Sequence, residues 1–364
     1  MFELTLRLAR HDTRLWLGRD GAPILAADLA RRPRPRMLLT DNQVARARAR
    51  QLEDLVEGSD LHRLVLPTGE ASKNSANLLT VLAEMGSLGL ERHSPLVAFG
   101  GGVIGDLGGL AASLWKRGVP LILVPTSLLA MVDACLGGKT AINFGGLRNA
   151  VGTFWPACLV VVDLDCLDTL PAREWAGGFG ELLKAAWLSD GSWASRLEQD
   201  PAGLLRAGHP DLAGHLKRAL RVKAALVEGD EFEAGERALL NLGHSFAHAL
   251  EARGDGELGH GQAVLFGMLA AARASRLTGA APPAAADEME ERLRRVLASL
   301  GLLPARKLVR LSVANLMKAM TQDKKVREGR LRLVLPETPG RARLQDVAGE
   351  TVAEAWRQWK DLVR

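Results

Sequence analysis

Short apolar runs separated by amphipathic stretches dominate the first half of the chain. Five runs of this kind span residues 37–40, 64–66, 96–99, 121–124 and 159–162. Short strands that are almost wholly apolar and alternate with helices are typical of a parallel β-sheet covered on both faces. The pattern therefore predicts an α/β domain with a parallel sheet over residues 1–168.

The pattern changes near residue 170. Apolar residues then recur at helical spacing through residues 181–188, 212–227, 236–252, 262–277 and 287–300. After them, only residues 331–335 look like a strand. We therefore expect a second, mostly α-helical domain over residues 169–364, with a boundary near residue 168.

A glycine-rich segment follows the third apolar run directly. Gly100, Gly102 and Gly105 match the pattern G-x-G-x-x-G and precede a predicted helix. In that position, backbone N–H groups and a helix N-terminus can bind a pyrophosphate. The acidic residue usual about 20 positions later in dinucleotide-binding proteins is absent. A plain tight turn between strand and helix therefore stays open as an alternative.

Three histidines and a glutamate in the second half of the chain suggest a divalent metal site. His244 and His248 lie four residues apart, which places both on one face of a helix. His260 follows in a glycine-flanked turn, and Glu181 lies in a glycine-rich stretch upstream. Zinc binds imidazole and carboxylate ligands. Spacing alone nominates both His244 and His248, although any single histidine is more often a surface or core residue.

Composition narrows the class of protein. The chain has 364 residues, 47% of them apolar and 24% charged, which is enough for a sizeable core. Its net charge of +5 fits either an ordinary soluble protein or a pocket for an anionic substrate. The chain has no Tyr, and no basic run is interleaved with aromatic residues, so nucleic acid is not an expected partner.

Cysteine usage and hydropathy indicate a cytoplasmic location. Cys135, Cys158 and Cys166 form no Cys-x-x-Cys pair, and unpaired thiols fit a reducing compartment. The charged, alternating start of the chain does not match a signal peptide. No apolar run reaches the roughly 18 residues that a membrane span needs. We expect no membrane partner.

Basic residues near turns and helix boundaries could clamp phosphate and carboxylate groups. Ordinary surface ion pairing is the alternative. The set is Arg117, Lys139, Arg148, Lys184, Lys223, Arg237, Lys324 and Lys325.

Taken together, these segments resemble those of 3-dehydroquinate synthases, a family of sugar-phosphate cyclases. The matching segments appear in the family's order at residues 100–106, 115–118, 124–130, 132–143, 169–174, 180–184, 223–231, 235–237, 241–248, 260 and 323–325. The resemblance implies a Rossmann-like first domain that holds NAD, a helical second domain, and an active site in the cleft between them. It also implies a small sugar-phosphate substrate and a homodimer.

The resemblance implies roles for individual residues. The implied NAD contacts are Asp41, Glu70, Lys73, Gly100, Gly101, Gly102, Val103, Gly105, Asp106, Thr126, Ser127, Lys139 and Thr169. The implied ligands of a Zn²⁺ or Co²⁺ ion are Glu181, His244 and His260, so His248 would face the substrate. The implied substrate contacts are Arg117, Asp133, Lys139, Arg148, Asn149, Lys184, Lys223, Arg237, Asn241, His248 and one lysine of the Lys324–Lys325 pair.

The chain departs from the family pattern at three positions. Arg148 replaces the usual lysine, Ser127 replaces a threonine, and Gln262 replaces a glutamate that could support the metal site. Lys223 and Arg237 retain the positions that bind the substrate carboxylate. They favour conversion of 3-deoxy-D-arabino-heptulosonate 7-phosphate to 3-dehydroquinate and phosphate, a step of the shikimate pathway to aromatic amino acids.

Three alternatives stay open. The first is another cyclase, acting on a substrate without a carboxylate, such as sedoheptulose 7-phosphate or glucose 6-phosphate. The second is a metal-dependent polyol dehydrogenase, which shares the glycine loop and the histidine site. The third is a binding protein without catalytic activity.

Overall fold

A computed structural model describes residues 1–251, 258–303, 305, 307–323 and 330–364. Its contacts divide the chain into two compact units. Unit 1 comprises Met1–Pro171 and Leu212–Phe232, and unit 2 comprises Ala172–Asp211 and Glu233–Arg364. The domain boundary near residue 168 stays a prediction, and the division adds that residues 212–232 group with the first unit. Within the described parts of the chain, no helix is long and apolar enough to cross a membrane.

Unit 1 is built on a seven-stranded sheet and a separate hairpin. Its strands are β1 (Phe2–Leu6), β2 (Thr13–Gly18), β3 (Arg36–Asp41), β4 (Leu61–Leu66), β5 (Leu96–Gly100), β6 (Leu121–Pro125), β7 (Lys139–Phe144), β8 (Leu147–Phe154) and β9 (Leu159–Asp163). Its helices are α1 (Ala22–Leu29), α2 (Asn42–Ala47), α3 (Ala49–Ser59), α4 (Ser75–Ser87), α5 (Gly102–Leu114) and α9 (Leu212–Gly229).

The predicted parallel sheet is confirmed. The strand order is β1-β2-β9-β6-β5-β3-β4, and every pairing is parallel except that of β1 with β2. The five predicted apolar runs lie in five neighbouring strands, β9 to β4. Strands β5 and β9 are buried along their whole length, which explains why their sequences do not alternate.

The antiparallel β7–β8 hairpin was not predicted from the sequence. Most of β8 is exposed, so its residues carry no continuous apolar signal. The hairpin matters because Lys139, Arg148 and Asn149 lie on it.

Unit 2 is mostly helical, as predicted. It contains α6 (Ala172–Ser189), α7 (Gly191–Gln199), α8 (Pro201–Leu204), α10 (His244–Glu251), α11 (His260–Thr278), α12 (Pro283–Ser299), α13 (Val313–Asp323) and α14 (Gly349–Leu362), with the hairpin β10 (Arg330–Thr338) and β11 (Arg341–Ala348). The predicted strand at 331–335 lies in β10. Helix α11 is the core of the unit, with most of its residues buried.

One helical prediction is wrong in detail. The helix predicted across residues 236–252 is interrupted at Gly243, where φ is +79°. A short 3-10 turn, Glu236–Asn241, precedes the break, and α10 starts afresh at His244. Only glycine adopts a positive φ at little cost. The break therefore places His244 at the first position of its helix.

Candidate active site

Three side chains of unit 2 form a cluster that could hold a metal ion. Glu181 lies on α6, and His244 and His260 are the first residues of α10 and α11. One ligand atom from each lies within 4.8 Å of the others. Glu181 Oε1 is 3.5 Å from His244 Nε2 and 3.4 Å from His260 Nε2. A buried carboxylate and two imidazoles form a donor set that suits zinc and similar divalent ions.

A glycine adjoins each member of this cluster, because the helix backbones nearly touch there. A Cβ atom added at Gly180, beside Glu181, would lie 2.0 Å from the Gly261 carbonyl oxygen. One added at Gly261, beside His260, would lie 1.7 Å from the Gly177 oxygen.

The same crowding occurs beside the third member of the cluster. A Cβ at Gly243, next to His244, would lie 2.8 Å from the Val264 oxygen. Glycine therefore lets α6, α10 and α11 approach closely enough for the three side chains to meet.

His248 does not join the cluster, although its spacing made it a candidate. Among the residues that the structure describes, the side chains that bring one potential ligand atom each within 4.8 Å of the others are Glu181, His244 and His260. The His248 ring lies edge-on to His244 with centroids 5.6 Å apart, and its centroid is 6.3 Å from that of His260. The four-residue spacing correctly put both histidines on one face but could not show which residues face them.

Neighbouring charges give the two histidines opposite pKa shifts. Burial and the positive charge of Lys184, which is ion-paired to Glu181, hold the pKa of His244 well below its usual value. Burial also opposes protonation of His260, but hydrogen bonds to Glu181 and Glu251 outweigh it and raise the pKa of His260 to about 10. At neutral pH His244 can therefore offer a lone pair, whereas His260 must first give up a proton to bind a metal.

The glycine loop of unit 1 leads from a buried strand into the uncapped N-terminus of a helix. Strand β5 ends at Gly100 and α5 begins at Gly102, and no side chain caps the helix at Gly101. A Cβ added at Gly101 would meet nothing closer than 3.7 Å, and one at Gly102 nothing closer than 3.8 Å. Uncapped N–H groups at a helix N-terminus attract anions. The loop therefore fits a pyrophosphate.

Family models match most of the chain. The N-terminal model of 3-dehydroquinate synthase matches residues 63–177, and the C-terminal model matches residues 178–326. The chain belongs to the 3-dehydroquinate synthase-like family of sugar-phosphate cyclases. The expected family resemblance and fold class are thereby confirmed.

Solved structures of two other cyclases are similar over nearly their whole length. One is 2-epi-5-epi-valiolone synthase (ValA) from Streptomyces hygroscopicus subsp. jinggangensis 5008 with NAD⁺ and Zn²⁺ bound, at 29% identity, TM-score 0.86, and 98% coverage of both chains. The other is a 2-deoxy-scyllo-inosose synthase complexed with carbaglucose-6-phosphate, NAD⁺ and Co²⁺. It has 22% identity and a TM-score of 0.87, over 98% of this chain and 99% of that chain, which shows a shared fold.

A more distant likeness is to a probable glycerol dehydrogenase from Sinorhizobium meliloti 1021. The identity is 18% and the TM-score is 0.65, over 96% of this chain and 97% of that chain. This likeness also concerns the fold.

Several of the residues predicted to contact NAD in this cyclase lie at or shortly after the carboxyl ends of parallel strands. Asp41 ends β3, Gly100 ends β5, and Thr126 follows β6 directly. Glu70 and Thr169 come shortly after β4 and β9. Ligands of open α/β sheets bind at this edge, so the placement agrees with the predicted roles.

Several of these residues also hold the β7–β8 hairpin. The Lys73 ammonium is buried and donates to the carboxylate of Asp106 and to the side chain of Asn149. Asn143 donates to Glu70 at 2.7 Å. Burial raises the pKa of Asp106 in spite of the Lys73 charge. The hairpin with its predicted substrate residues is thus tied to the predicted cofactor residues by polar contacts, in which the Lys73 side chain is buried.

The remaining predicted substrate residues divide between the two units. In unit 1, Lys223 on α9 donates to the Asp133 carboxylate at 2.6 Å. Arg117 is exposed and has a left-handed backbone with φ 63°, next to Lys116 with φ 47°. Two consecutive non-glycine residues in this region indicate strain, which is often found where a side chain is held for function.

In unit 2, Arg237 is only 1% exposed, in the 3-10 turn before α10. Asn241, at the end of that turn, donates to Glu233. Lys324 and Lys325 lie outside the described residues.

Sequence reasoning missed one residue of the site, Glu251. Its carboxylate lies 3.3 Å from His260 Nδ1. It follows His244 by seven residues, or about two helical turns, so both lie on one face of α10. This spacing indicates a face shared with His244, whereas the contact with His260 depends on how α10 packs against α11.

Proposed function

We propose that this cyclase is a 3-dehydroquinate synthase, which converts 3-deoxy-D-arabino-heptulosonate 7-phosphate to 3-dehydroquinate and phosphate. The observation that carries the proposal is the burial of two cations, Lys223 in unit 1 and Arg237 in unit 2, at the positions that the family uses for the substrate carboxylate. They are 7% and 1% exposed. A guanidinium and an ammonium withdrawn from water suit a carboxylate, for which charge-assisted hydrogen bonds are strong.

We also propose that the enzyme uses NAD and a divalent metal, Zn²⁺ or Co²⁺. The two similar cyclases were solved with NAD⁺ and one of these ions. The glycine loop of unit 1 fits the cofactor pyrophosphate, and the cluster of Glu181, His244 and His260 fits the metal. When bound, NAD would supply reversible hydride transfer without net consumption, and the metal would supply polarisation of substrate oxygens.

The chain's own residues bind and orient the substrate in this proposal. Lys223 and Arg237 hold the carboxylate, while Asp133, Lys139, Arg148 and Lys184 complete the substrate contacts. The proposed phosphate contacts are Arg117, Asn149, Asn241, His248 and the Lys324–Lys325 pair. Removing a cation would leave a desolvated anion unpaired, which costs far more than losing a surface ion pair.

The Arg237→Ala variant tests the assignment of the carboxylate site. Because truncating one partner of a buried charge pair costs about 2–5 kcal/mol, we expect kcat/KM for phosphate release to fall by about 30-fold or more. Bound metal, measured by elemental analysis, should stay at the wild-type level. Unchanged turnover with the heptulosonate phosphate would contradict the assignment.

A second candidate is a cyclase that acts on a substrate without a carboxylate. The 29% identity to the valiolone synthase favours it, as does Arg148 in place of the usual lysine. Wild-type enzyme should be supplied in parallel with the heptulosonate phosphate and with sedoheptulose 7-phosphate, and the products identified by mass spectrometry. Preference for sedoheptulose 7-phosphate would support this candidate over the synthase.

A place in the shikimate pathway to aromatic amino acids follows from the proposed reaction. The cytoplasmic location and the homodimer stay predictions.

A further inference from the structure

His260 lies between two carboxylates, one at each ring nitrogen. Its Nε2 is 3.4 Å from Glu181 Oε1, and its Nδ1 is 3.3 Å from Glu251 Oε2. Glu181 is the proposed metal ligand. Glu251 is the last residue of α10, and its side chain is only 6% exposed.

The two proposed histidine ligands are each held through Nδ1. His244 Nδ1 lies 3.2 Å from the Leu242 carbonyl oxygen, so its own backbone orients the ring. In His260, the Glu251 carboxylate contacts the corresponding atom, Nδ1. A metal-binding histidine usually gives its second ring N–H to a carbonyl or carboxylate, which fixes the tautomer and the ring orientation.

We propose that Glu251 is a positioning residue that keeps the proton on Nδ1 of His260, so that Nε2 faces a metal bound with Glu181 and His244. The inference rests on the metal site of the proposed function.

Of the three proposed ligands, His260 is the most exposed and therefore depends most on a contact that fixes the orientation of its ring. The side chains of Glu181 and His244 are 0% and 11% exposed, so packing restrains them. The His260 side chain is 29% exposed and begins its helix. A ring with open space beside it depends more on a directed contact than a ring enclosed by packing.

Glu251 does not itself belong to the ligand group. Within the described chain, the metal-ligating atoms that lie together come from Glu181, His244 and His260. Glu251 approaches the nitrogen of His260 that is not directed at Glu181. Its contact is therefore with the ligand and not with the metal position.

The structure also changes the interpretation of Gln262. The sequence suggested that a supporting carboxylate is lost there. Instead, Gln262 Oε1 accepts a hydrogen bond from the Gly259 N–H at 3.1 Å and caps α11. A carboxylate for His260 is present, but it comes from α10.

Zinc affinity of the purified full-length protein, measured by competition with a chelator, tests the role of Glu251. Loss of such a partner typically weakens metal binding by about 10- to 100-fold. We expect Glu251→Ala to lie near the upper end of this range. Glu251→Gln should lie near the lower end, because its amide oxygen can still accept a hydrogen bond.

Two matched variants control for general damage to unit 2. Glu290 is a carboxylate of similar burial, 5% exposed, that is ion-paired to Arg273. Glu290→Gln should leave the zinc affinity unchanged, even if stability falls. Gln262→Glu should also leave it unchanged. Equal zinc affinity in wild type and Glu251→Ala would overturn the inference and leave the metal site of the proposed function intact.

Wild-type protein provides a second test that does not depend on folding of a variant. In zinc-loaded protein with ¹⁵N-labelled histidine, NMR should show His260 protonated at Nδ1, with its signal assigned by its loss in His260→Asn. A His260 that binds zinc through Nδ1 would overturn the inference. Wild-type protein that binds no zinc would overturn both this inference and the metal site of the proposed function.

Discussion

The glycine loop of unit 1 and the metal cluster of unit 2 use glycine for opposite reasons. At Gly101 and Gly102, an added Cβ would meet nothing closer than 3.7 Å, an ordinary van der Waals distance, so the protein itself does not require glycine there. At Gly261, an added Cβ would lie 1.7 Å from a backbone oxygen, so no space is left. Glycine beside a functional residue can therefore indicate either room for a ligand or contact between helices.

This difference predicts different responses to the same substitution. Alanine in the loop should leave the fold intact and weaken cofactor binding. Alanine between the helices should disturb the fold and the metal cluster together.

The largest effect is expected from Gly261→Ala. Its methyl group would push α6 and α11 apart, and overpacking of this kind costs about 3 kcal/mol. Displacement of His260 should also weaken zinc binding by about 100-fold, because a metal site tolerates only small shifts of its ligands. Denaturant unfolding and chelator competition measure the two effects.

Gly177→Ala on α6 is the matched control for that variant. A Cβ at Gly177 would meet nothing within 4 Å. Alanine there should be neutral or stabilise the helix by up to about 1 kcal/mol. If both variants behave alike, helix contact is not the reason for the glycine at position 261.

The next largest effect is expected from pH, which should change metal binding in unit 2 and not cofactor binding in unit 1. The pKa of His260 is raised from its ordinary 6.5 to about 10. Below pH 10 a proton therefore competes with the metal, and the apparent zinc affinity should rise by about tenfold per pH unit between pH 7 and pH 9. Affinity for NAD in unit 1 should not follow this slope. Zinc affinity that is flat over this range would contradict the proposed ligand role of His260.

A smaller effect is expected from Gly102→Ala. The fold has room for the methyl group, but the group would occupy space that the proposed pyrophosphate needs. We expect NAD affinity to fall by about tenfold, or about 1.4 kcal/mol, with stability unchanged. Calorimetric titration measures the affinity. Gly214→Ala on α9, where a Cβ meets nothing within 4 Å, should leave NAD affinity unchanged.

The smallest effect is expected on the alkylation rates of the three cysteine thiols when Gly261 is replaced by alanine. All three thiols lie in unit 1, and none forms a disulfide. Burial raises the pKa of Cys135 and Cys166 to about 12. Only about one in 10,000 such thiols is ionised at pH 8, so both should react slowly with an alkylating reagent. Their rates should not increase in Gly261→Ala if its damage is confined to unit 2. Rapid alkylation in that variant would show that unit 1 is also disturbed.

Local patterns predicted much of the fold. The five apolar runs became five neighbouring parallel strands because burial on both faces leaves a continuous apolar signal. The β7–β8 hairpin gave no such signal, since β8 is largely exposed. The helix break at Gly243 was missed because its φ of +79° is fixed by contacts with α11.

The candidate site was predicted less completely, because it too depends on contacts between residues that are distant in sequence. Spacing showed that His244 and His248 share a face, but residues far away in sequence decide what that face meets. Glu181 comes from α6 and His260 from α11. The residues alone suggested both as ligands beside His244 and His248, and only the family resemblance set His248 apart from the other three. The contact of Glu251 with His260 likewise depends on the packing of α10 against α11, which local periodicity does not specify.

The most direct test of the central claim is to count phosphate released per NAD, with the heptulosonate phosphate as substrate and NAD below the enzyme concentration. The proposed function predicts many phosphates per NAD, no accumulation of NADH, loss of turnover on chelation, and recovery when zinc is restored. NADH that accumulates in step with turnover, or phosphate release that continues unchanged after chelation, would contradict it.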